Sequence, residues 1–224
     1  MLRKIAAGPF SVLLLAAILS PGGTNSAFAQ QSFGLKFAYP NADAFQTAGP
    51  ETLRTRTFHS RPPKIGVTGE LNLPAGLLLE IDALYSRLSY SSKLTGVDAT
   101  TSTTTTVNCW DFPILVKKEF LPGRIKPFID AGAAFQAVNA DAEVTTTIFP
   151  STVMVNDTQP PEFIHQATIG YAVGAGLDLK FGKFHIVPEF RYMRFQKENF
   201  RSLDGSFQSN LRQPVFMLGI QRGR

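Results

Sequence analysis

The sequence predicts an all-β fold, an eight-stranded antiparallel up-and-down transmembrane β-barrel, and three observations lead there. Residues 168–181 alternate without a break between Ile169, Tyr171, Val173, Ala175, Leu177, Leu179 and Phe181 and a row holding Gly170, Gly174, Gly176, Asp178 and Lys180. A period of two marks a strand whose faces meet different media. Segments of this kind recur about eight times. The links between them alternate long and short, as a closed meander requires when all odd-numbered links share one rim.

Taken in order, the first strand is expected at 32–39, with Phe33, Leu35, Phe37 and Tyr39 opposing Gly34, Lys36 and Ala38. The second, Lys64–Leu73, sets Ile65, Val67, Leu71 and Leu73 against Lys64, Thr68, Glu70 and Asn72. In the third, 76–90, Leu77, Leu79, Ile81, Ala83 and Tyr85 oppose Glu80, Asp82 and Ser86, and the phase is expected to slip at Arg87 through a bulge or emergence from the membrane. The fourth, 107–120, carries Trp110, Phe112, Ile114 and Val116 against Asp111, Leu115, Lys117 and Glu119, with Pro113 a defect in its ladder. The fifth, 124–135, opposes Ile125, Ile129, Ala131, Ala133 and Phe135 to Lys126, Phe128, Asp130, Gly132 and Ala134. After the sixth, 168–181, the seventh spans Phe184–Phe195, with Phe184, Ile186, Phe190 and Tyr192 against His185, Glu189, Arg191 and Met193. The eighth, 213–221, sets Phe216, Leu218 and Ile220 against Gln213, Val215, Met217 and Gly219.

Short turns are expected at Leu73-Pro74-Ala75-Gly76, Leu121-Pro122-Gly123 and Phe181-Gly182-Lys183, and long links at 40–63, 91–106, 136–163 and 196–212. The long links read as surface material: 95–106 is threonine-rich and is expected either to extend strands above the membrane or to remain mobile, and 144–148 with 153–155 suggests a short protruding hairpin. Four such links would be out of place in a compact soluble domain.

Residues 1–29 read as a cleaved signal peptide, leaving 30–224 as the barrel domain. Arg3 and Lys4 precede an apolar stretch too short to span a bilayer, and Ala27-Phe28-Ala29 forms a small-x-small cleavage site before Gln30. Removal lowers the formal charge from +5 to +3, too small and dispersed an excess to argue for nucleic acid. A single cysteine, Cys109, rules out an intrachain disulfide framework and reads as a small buried residue beside Trp110.

The inward row is expected to hold a charge network of Lys36, Lys64, Glu70, Glu80, Asp82, Asp111, Lys117, Glu119, Lys126, Asp130, Asp178, Lys180, Glu189 and Arg191. Eight strands enclose a space that side chains just fill, so these groups are expected to pair with one another, because an unpaired charge there would be costly. Inward glycines, among them Gly34, Gly66, Gly132, Gly170, Gly174 and Gly176, are expected to make room for the long side chains. On the outer face Tyr39, Tyr85, Trp110, Phe112, Phe181, Phe184 and Tyr192 are expected at the membrane interface. The alternation alone also permits a soluble barrel with its faces reversed around a hydrophobic ligand; link asymmetry and inward glycines favour the membrane version.

No catalytic, cofactor or metal site is legible. His59, His165 and His185 are scattered, the glycines of 170–176 lack the strand-to-helix setting of a phosphate loop, and no spacing supports a triad built on Ser202 or Ser206.

Trp110-Asp111-Phe112-Pro113, followed by Leu115, Lys117 and Phe120, then Lys126-Pro127-Phe128 and Ala131-Gly132, resembles the central hairpin of small porin-like outer-membrane β-barrel-domain proteins, which are similar to the OmpA and OmpX barrels. The resemblance implies an outer-membrane location, contact with outer-membrane lipid and lipopolysaccharide, insertion by the barrel assembly machinery, and a monomer with no cofactor. It also implies a structural or surface role in envelope integrity, adhesion or surface interaction, with a small or gated porin-like channel as the alternative. Phe190-Arg191-Tyr192-Met193-Arg194-Phe195-Gln196 resembles the Arg-Tyr-x-His-x-Ser region of outer-membrane lipid A deacylases, but Arg194 and Gln196 replace the histidine and serine, which argues against a lipid-modifying enzyme. Barrels of this group usually end in an aromatic residue, whereas the last aromatic here is Phe216.

Overall fold

The computed structural model describes residues 31–47, 54–96, 99–148, 151–202, 205 and 207–223; the expected signal peptide lies outside them. The described residues form twelve strands: β1 (Gln31–Pro40), β2 (Phe45–Thr47), β3 (Arg54–His59), β4 (Lys64–Leu73), β5 (Leu77–Thr95), β6 (Ala99–Glu119), β7 (Ile125–Ile148), β8 (Ser151–Thr158), β9 (Ala167–Phe181), β10 (Phe184–Phe195), β11 (Phe207–Ser209) and β12 (Arg212–Gly223). Eight of them close a barrel in the order β1-β4-β5-β6-β7-β9-β10-β12, every pair antiparallel. Because β1 pairs with both β4 and β12, the cylinder has no open edge, as a strand-built membrane crossing demands. Among the described residues no helix is long and apolar enough to cross a membrane.

The alternation has a direct structural consequence. Leu35, Phe37, Ile65, Val67, Ile114, Val116, Ile129, Val173, Phe190 and Ile220 all project outward and are exposed, while their neighbours in sequence point into a lumen closed to solvent. An apolar band running around the whole cylinder far exceeds the patches that water-soluble monomers expose, so it marks a surface that meets hydrocarbon. Tight turns close one rim: Gly182, at φ +63, joins β9 to β10, and Pro74–Gly76 joins β4 to β5 with Ala75 and Gly76 both left-handed.

Two expectations are corrected and one alternative is decided. The phase does not slip at Arg87: the β5–β6 register runs unbroken from Leu84↔Asp111 to Thr95↔Thr100, Arg87 faces outward, and Leu88 and Tyr90 continue the inward row. What changes there is the lumen, which turns from ionic to apolar, so the inward residues change character without any change of phase. Next, of the two readings of the threonine-rich link, strand extension is the one found: 91–95, 99–106 and 136–148 are strand, β5, β6 and β7 rise well above the other strands, and 144–148 pairs with 151–155 as the expected hairpin. Finally, four of the glycines do not make room for long side chains. A Cβ at Gly34, Gly66, Gly132 or Gly170 would lie 1.9–2.3 Å from a carbonyl oxygen of the adjacent strand, so these residues let neighbouring backbones approach closely. Gly174 and Gly176 do spare space for side chains, facing Asp130, Glu189 and Phe128.

Candidate functional site: a sealed lumen beneath a raised sheet

From the short-turn rim upward, the lumen is filled in layers. Strands β1, β5 and β10 bring together Lys36, Glu80, Asp82, Glu189 and Arg191, whose side chains are wholly buried. Lys36 Nζ donates to Glu80 Oε1 at 2.5 Å, Asp82 Oδ2 at 3.1 Å and Glu189 Oε2 at 3.1 Å. Arg191 donates from Nε to Glu189 Oε1 at 2.5 Å, from Nη1 to Asp82 Oδ2 at 2.7 Å and from Nη2 to Glu80 Oε1 at 2.6 Å. Lys117 extends the cluster to Glu70 at 2.7 Å and sits 3.9 Å from the centre of the Phe128 ring. Ser32 and Gln221 supply further hydrogen bonds to Glu70.

The remaining inward charges form satellites. Lys64 bonds Asp111, which also accepts from Gln136 Nε2 at 2.9 Å, while Lys64 Nζ donates to Gln213 Oε1 at 3.1 Å. Lys126 pairs with Glu119 at 2.9 Å, and these two line a polar cavity of about 440 Å³ at the short-turn rim together with Lys180. Asp178 lies 2.6 Å from His185 Nδ1, a buried partner that its inward position on β10 signals but that sequence reasoning did not add to the network. Asp130 faces the central cluster across Gly174, and neither of its carboxylate oxygens has a hydrogen-bond partner among the described residues. Carboxylates outnumber cations in this lumen: of the fourteen groups, eight are acids and six are bases. Such clusters add little net stability relative to an apolar core, but removing one member strands the others without compensation, so they hold a specific register.

Above the central cluster, and level with the Lys64–Asp111 pair, lies an apolar collar in which Leu84, Leu115, Ala134, Ala172, Met193 and Met217 are almost completely buried. Higher still, the mouth is filled by rings that the long links fold inward. Phe207 of β11 is fully buried, 5.1 Å from Phe45 of β2, 5.2 Å from Tyr90 and 5.5 Å from Phe58, which stacks on it within 9°. Phe200 packs 5.0 Å from Phe163, bringing the link between β8 and β9 into the same plug. The expectation that the long links are only surface material is therefore corrected: β2 pairs with β11, and Asn210 donates to the Asp43 carbonyl, so two links are tied across the opening. Asp43 in turn accepts from Arg61 at 2.7 and 2.9 Å and from Ser60 at 2.6 Å, and these donors hold its carboxyl below the ordinary carboxylate value. Phenylalanines scattered in polar links carry no period, so the only sequence signal was their presence in segments where solvated residues would suffice.

Over the plug, β3, β5, β6, β7 and β8 make a five-stranded antiparallel sheet that stands clear of the barrel on one side. Its strands are rich in threonine, with Thr101 and Thr146 hydroxyls 3.2 Å apart and Thr147 and Thr152 3.3 Å apart. The last strand, β8, pairs with β7 alone among the described residues and exposes Val153, Met154 and Val155.

The outward aromatics divide between two levels. Tyr39, Tyr85, Trp110, Phe112 and Tyr192 ring the cylinder toward the long-link rim, with Tyr85 and Trp110 opposite each other at 5.0 Å. Phe181 and Phe184 flank the Gly182 turn at the other end. Cys109 is buried with its Sγ 3.7 Å from Asp111. His59 lies on β3, His165 bonds the Glu198 carbonyl, and His185 is at the short-turn rim, so the three are never brought together. Ser202 is spent on the backbone of Phe207, and Ser206 falls outside the described residues. Among the described residues no group of three or more His, Cys, Asp or Glu is placed to hold a metal ion.

The architecture defines a class: small closed barrels of eight antiparallel strands with polar lumens and apolar outer walls, the form taken by small outer-membrane proteins. No family model matches the sequence, and no curated protein resembles it in sequence. Solved structures do match. The outer membrane protein OprG from Pseudomonas aeruginosa superposes with a TM-score of 0.53 at 11% identity, over 88% of this chain and 96% of OprG. Neisserial surface protein A matches with a TM-score of 0.45 at 11% identity, over 86% of this chain and 96% of its own. At such identity the likeness to OprG bears on the fold alone.

Proposed function

We propose that this protein is a surface protein of a bacterial outer membrane, a sealed barrel that holds long links outside the cell for envelope integrity, adhesion or surface contact. In this orientation the short turns face the periplasm, and the apolar band lies in the bilayer, where lipopolysaccharide surrounds its outer half. Residues 1–29 would direct export, and the barrel assembly machinery would insert the chain as a monomer. One observation carries the reading: the lumen is blocked three times over, by the ionic cluster, by the collar around Leu84 and by the aromatic plug, while the same chain invests its longest strands in a raised sheet. Solute passage needs an open polar path, whereas paired charges, packed apolar side chains and the aromatic plug fill this lumen. A catalytic role would need convergent acid, base or nucleophile groups at an accessible position, and none of the placed histidines or serines meets that description.

The test combines two measurements on the intact protein. In planar bilayers it is expected to give no reproducible conductance; steady conductance altered by substitution at Lys36 or Arg191 would favour a small channel. Protease added to whole cells is expected to cut only within 41–63, 95–99, 148–167 or 196–211, and cleavage at the Pro74 or Gly182 turns would reverse the orientation.

A further inference from the structure

The structure assigns an unaccompanied pair of arginines to the outer wall. Arg194 on β10 and Arg212 on β12 are direct cross-strand partners, both exposed and both facing away from the lumen. Residues so paired have Cβ atoms about 4.5–5.5 Å apart, and like charges in that relation repel. Among the described residues neither guanidinium has an ion pair or a side-chain hydrogen bond, in contrast to Lys36, Lys117 and Arg191 inside the barrel.

Their height on the wall decides what would accompany them. The next outward pair down is Tyr192↔Pro214, below it Phe190↔Phe216, and Tyr171 is the neighbour of Arg194 on β9. Above Arg194 comes Gln196, exposed and polar. Arg194 and Arg212 therefore sit where the apolar band ends and the headgroup layer begins, with Tyr171 across from Arg194 and the Gln196 amide one step above. Two planar forks on directly opposed positions of neighbouring strands suit a tetrahedral dianion that accepts bidentate bonds. We propose that Arg194 and Arg212 clamp a phosphate group of an outer-leaflet membrane lipid, whose acyl chains lie against Tyr171, Val173 and Phe190 below. The proposal rests on the membrane reading given above and identifies a lipid partner for that wall. Free phosphate offers the same chemistry without the acyl contacts, and a site built over an apolar wall favours the lipid.

The full-length protein, extracted in a non-ionic detergent, is titrated with diphosphorylated lipid A, with the same lipid stripped of its phosphates, and with inorganic phosphate, and bound lipid is counted by native mass spectrometry. Wild type is expected to retain one diphosphorylated lipid A more tightly than the stripped lipid, and Arg194→Gln/Arg212→Gln to lose about tenfold in affinity for the phosphorylated form only. Inorganic phosphate is expected to compete only at much higher concentration. Arg212→Glu supplies an independent arm: it places an acid opposite Arg194, so its unfolding midpoint in lipid-free detergent is expected to equal or exceed that of wild type while lipid A retention falls. Equal retention of both lipids by wild type, unchanged retention in the double variant, or equimolar competition by inorganic phosphate would each overturn the proposal. Heat-modifiable migration of every variant keeps the two readings apart. A folded, detergent-dependent barrel that ignores the phosphates refutes the clamp alone, whereas a wild-type chain that stays soluble without detergent refutes the membrane reading beneath it.

Discussion

Replacing Arg191 with methionine removes one of the two cations that each touch three carboxylates in the lumen. Its three donors reach Glu189, Asp82 and Glu80 at 2.5–2.7 Å, and the side chain is wholly buried. Each charge-assisted bond is worth about 1.5–3 kcal/mol. Simple addition would overshoot, because methionine restores part of the packing and Lys36 still touches all three acids. Stranding buried charges by deleting one partner costs about 3–5 kcal/mol, and that range is the expected loss for Arg191→Met. Urea unfolding in detergent micelles, followed by heat-modifiable migration and by the fluorescence of Trp110, measures it. Adding Asp82→Asn and Glu189→Gln to Arg191→Met is expected to recover part of the loss, since both changes remove carboxylates the arginine had compensated. If Arg191→Met unfolds at the wild-type midpoint, the cluster is not dry; water must then reach it, and the sealed-lumen reasoning fails with it.

Three further outcomes are expected. Phe207→Ala empties the centre of the aromatic plug and is expected to cost about 3–5 kcal/mol locally; limited proteolysis should then cut 41–63 and 196–211 faster than in wild type while the barrel remains heat-modifiable, and simultaneous loss of the barrel would show that plug and cylinder are one unit. Gly66→Ala would place a Cβ 1.9 Å from the Ala83 carbonyl oxygen, so refolding yield into vesicles should fall sharply, whereas Gly69→Ala, whose Cβ would meet only the Phe33 ring at 3.7 Å, should refold like wild type. Asp43, its carboxyl held below 3.8 chiefly by the Arg61 hydrogen bond, stabilises the folded link fully above that value, and the contribution disappears as pH falls through the lowered one. Protease sensitivity of 41–63 should accordingly rise in acid and be independent of pH near neutrality, and Asp43→Asn should remove the acid dependence.

How much was legible follows from what each feature depends on. Strand position and facing are local: a residue and its second neighbour share a face whatever lies across the sheet, so Lys64–Leu73 and Phe184–Phe195 appear at their observed limits. The inward placement of Lys36, Glu80 and Arg191 and the outward placement of Trp110 and Phe190 come from the same rule. Strand length is less local. Residues 91–95 and 99–106 contain threonine and serine that suit either a solvated link or a strand, and the pairing of β5 with β6 and of β6 with β7 is what settled the matter in favour of strand.

By itself, then, the sequence determined an alternating eight-strand cylinder, the side of each strand that meets the lumen, and the rim that bears the long links. Only the tertiary structure decided which charges meet, because Lys36 and Glu189 are 153 residues apart and come together through barrel closure and stagger. It also decided that Phe45, Phe200 and Phe207 leave their links to plug the mouth, and that Arg194 and Arg212 stand side by side on the wall. Periodicity reports the direction in which a side chain leaves its own strand; its partner is set by the position of another strand, which no local pattern records.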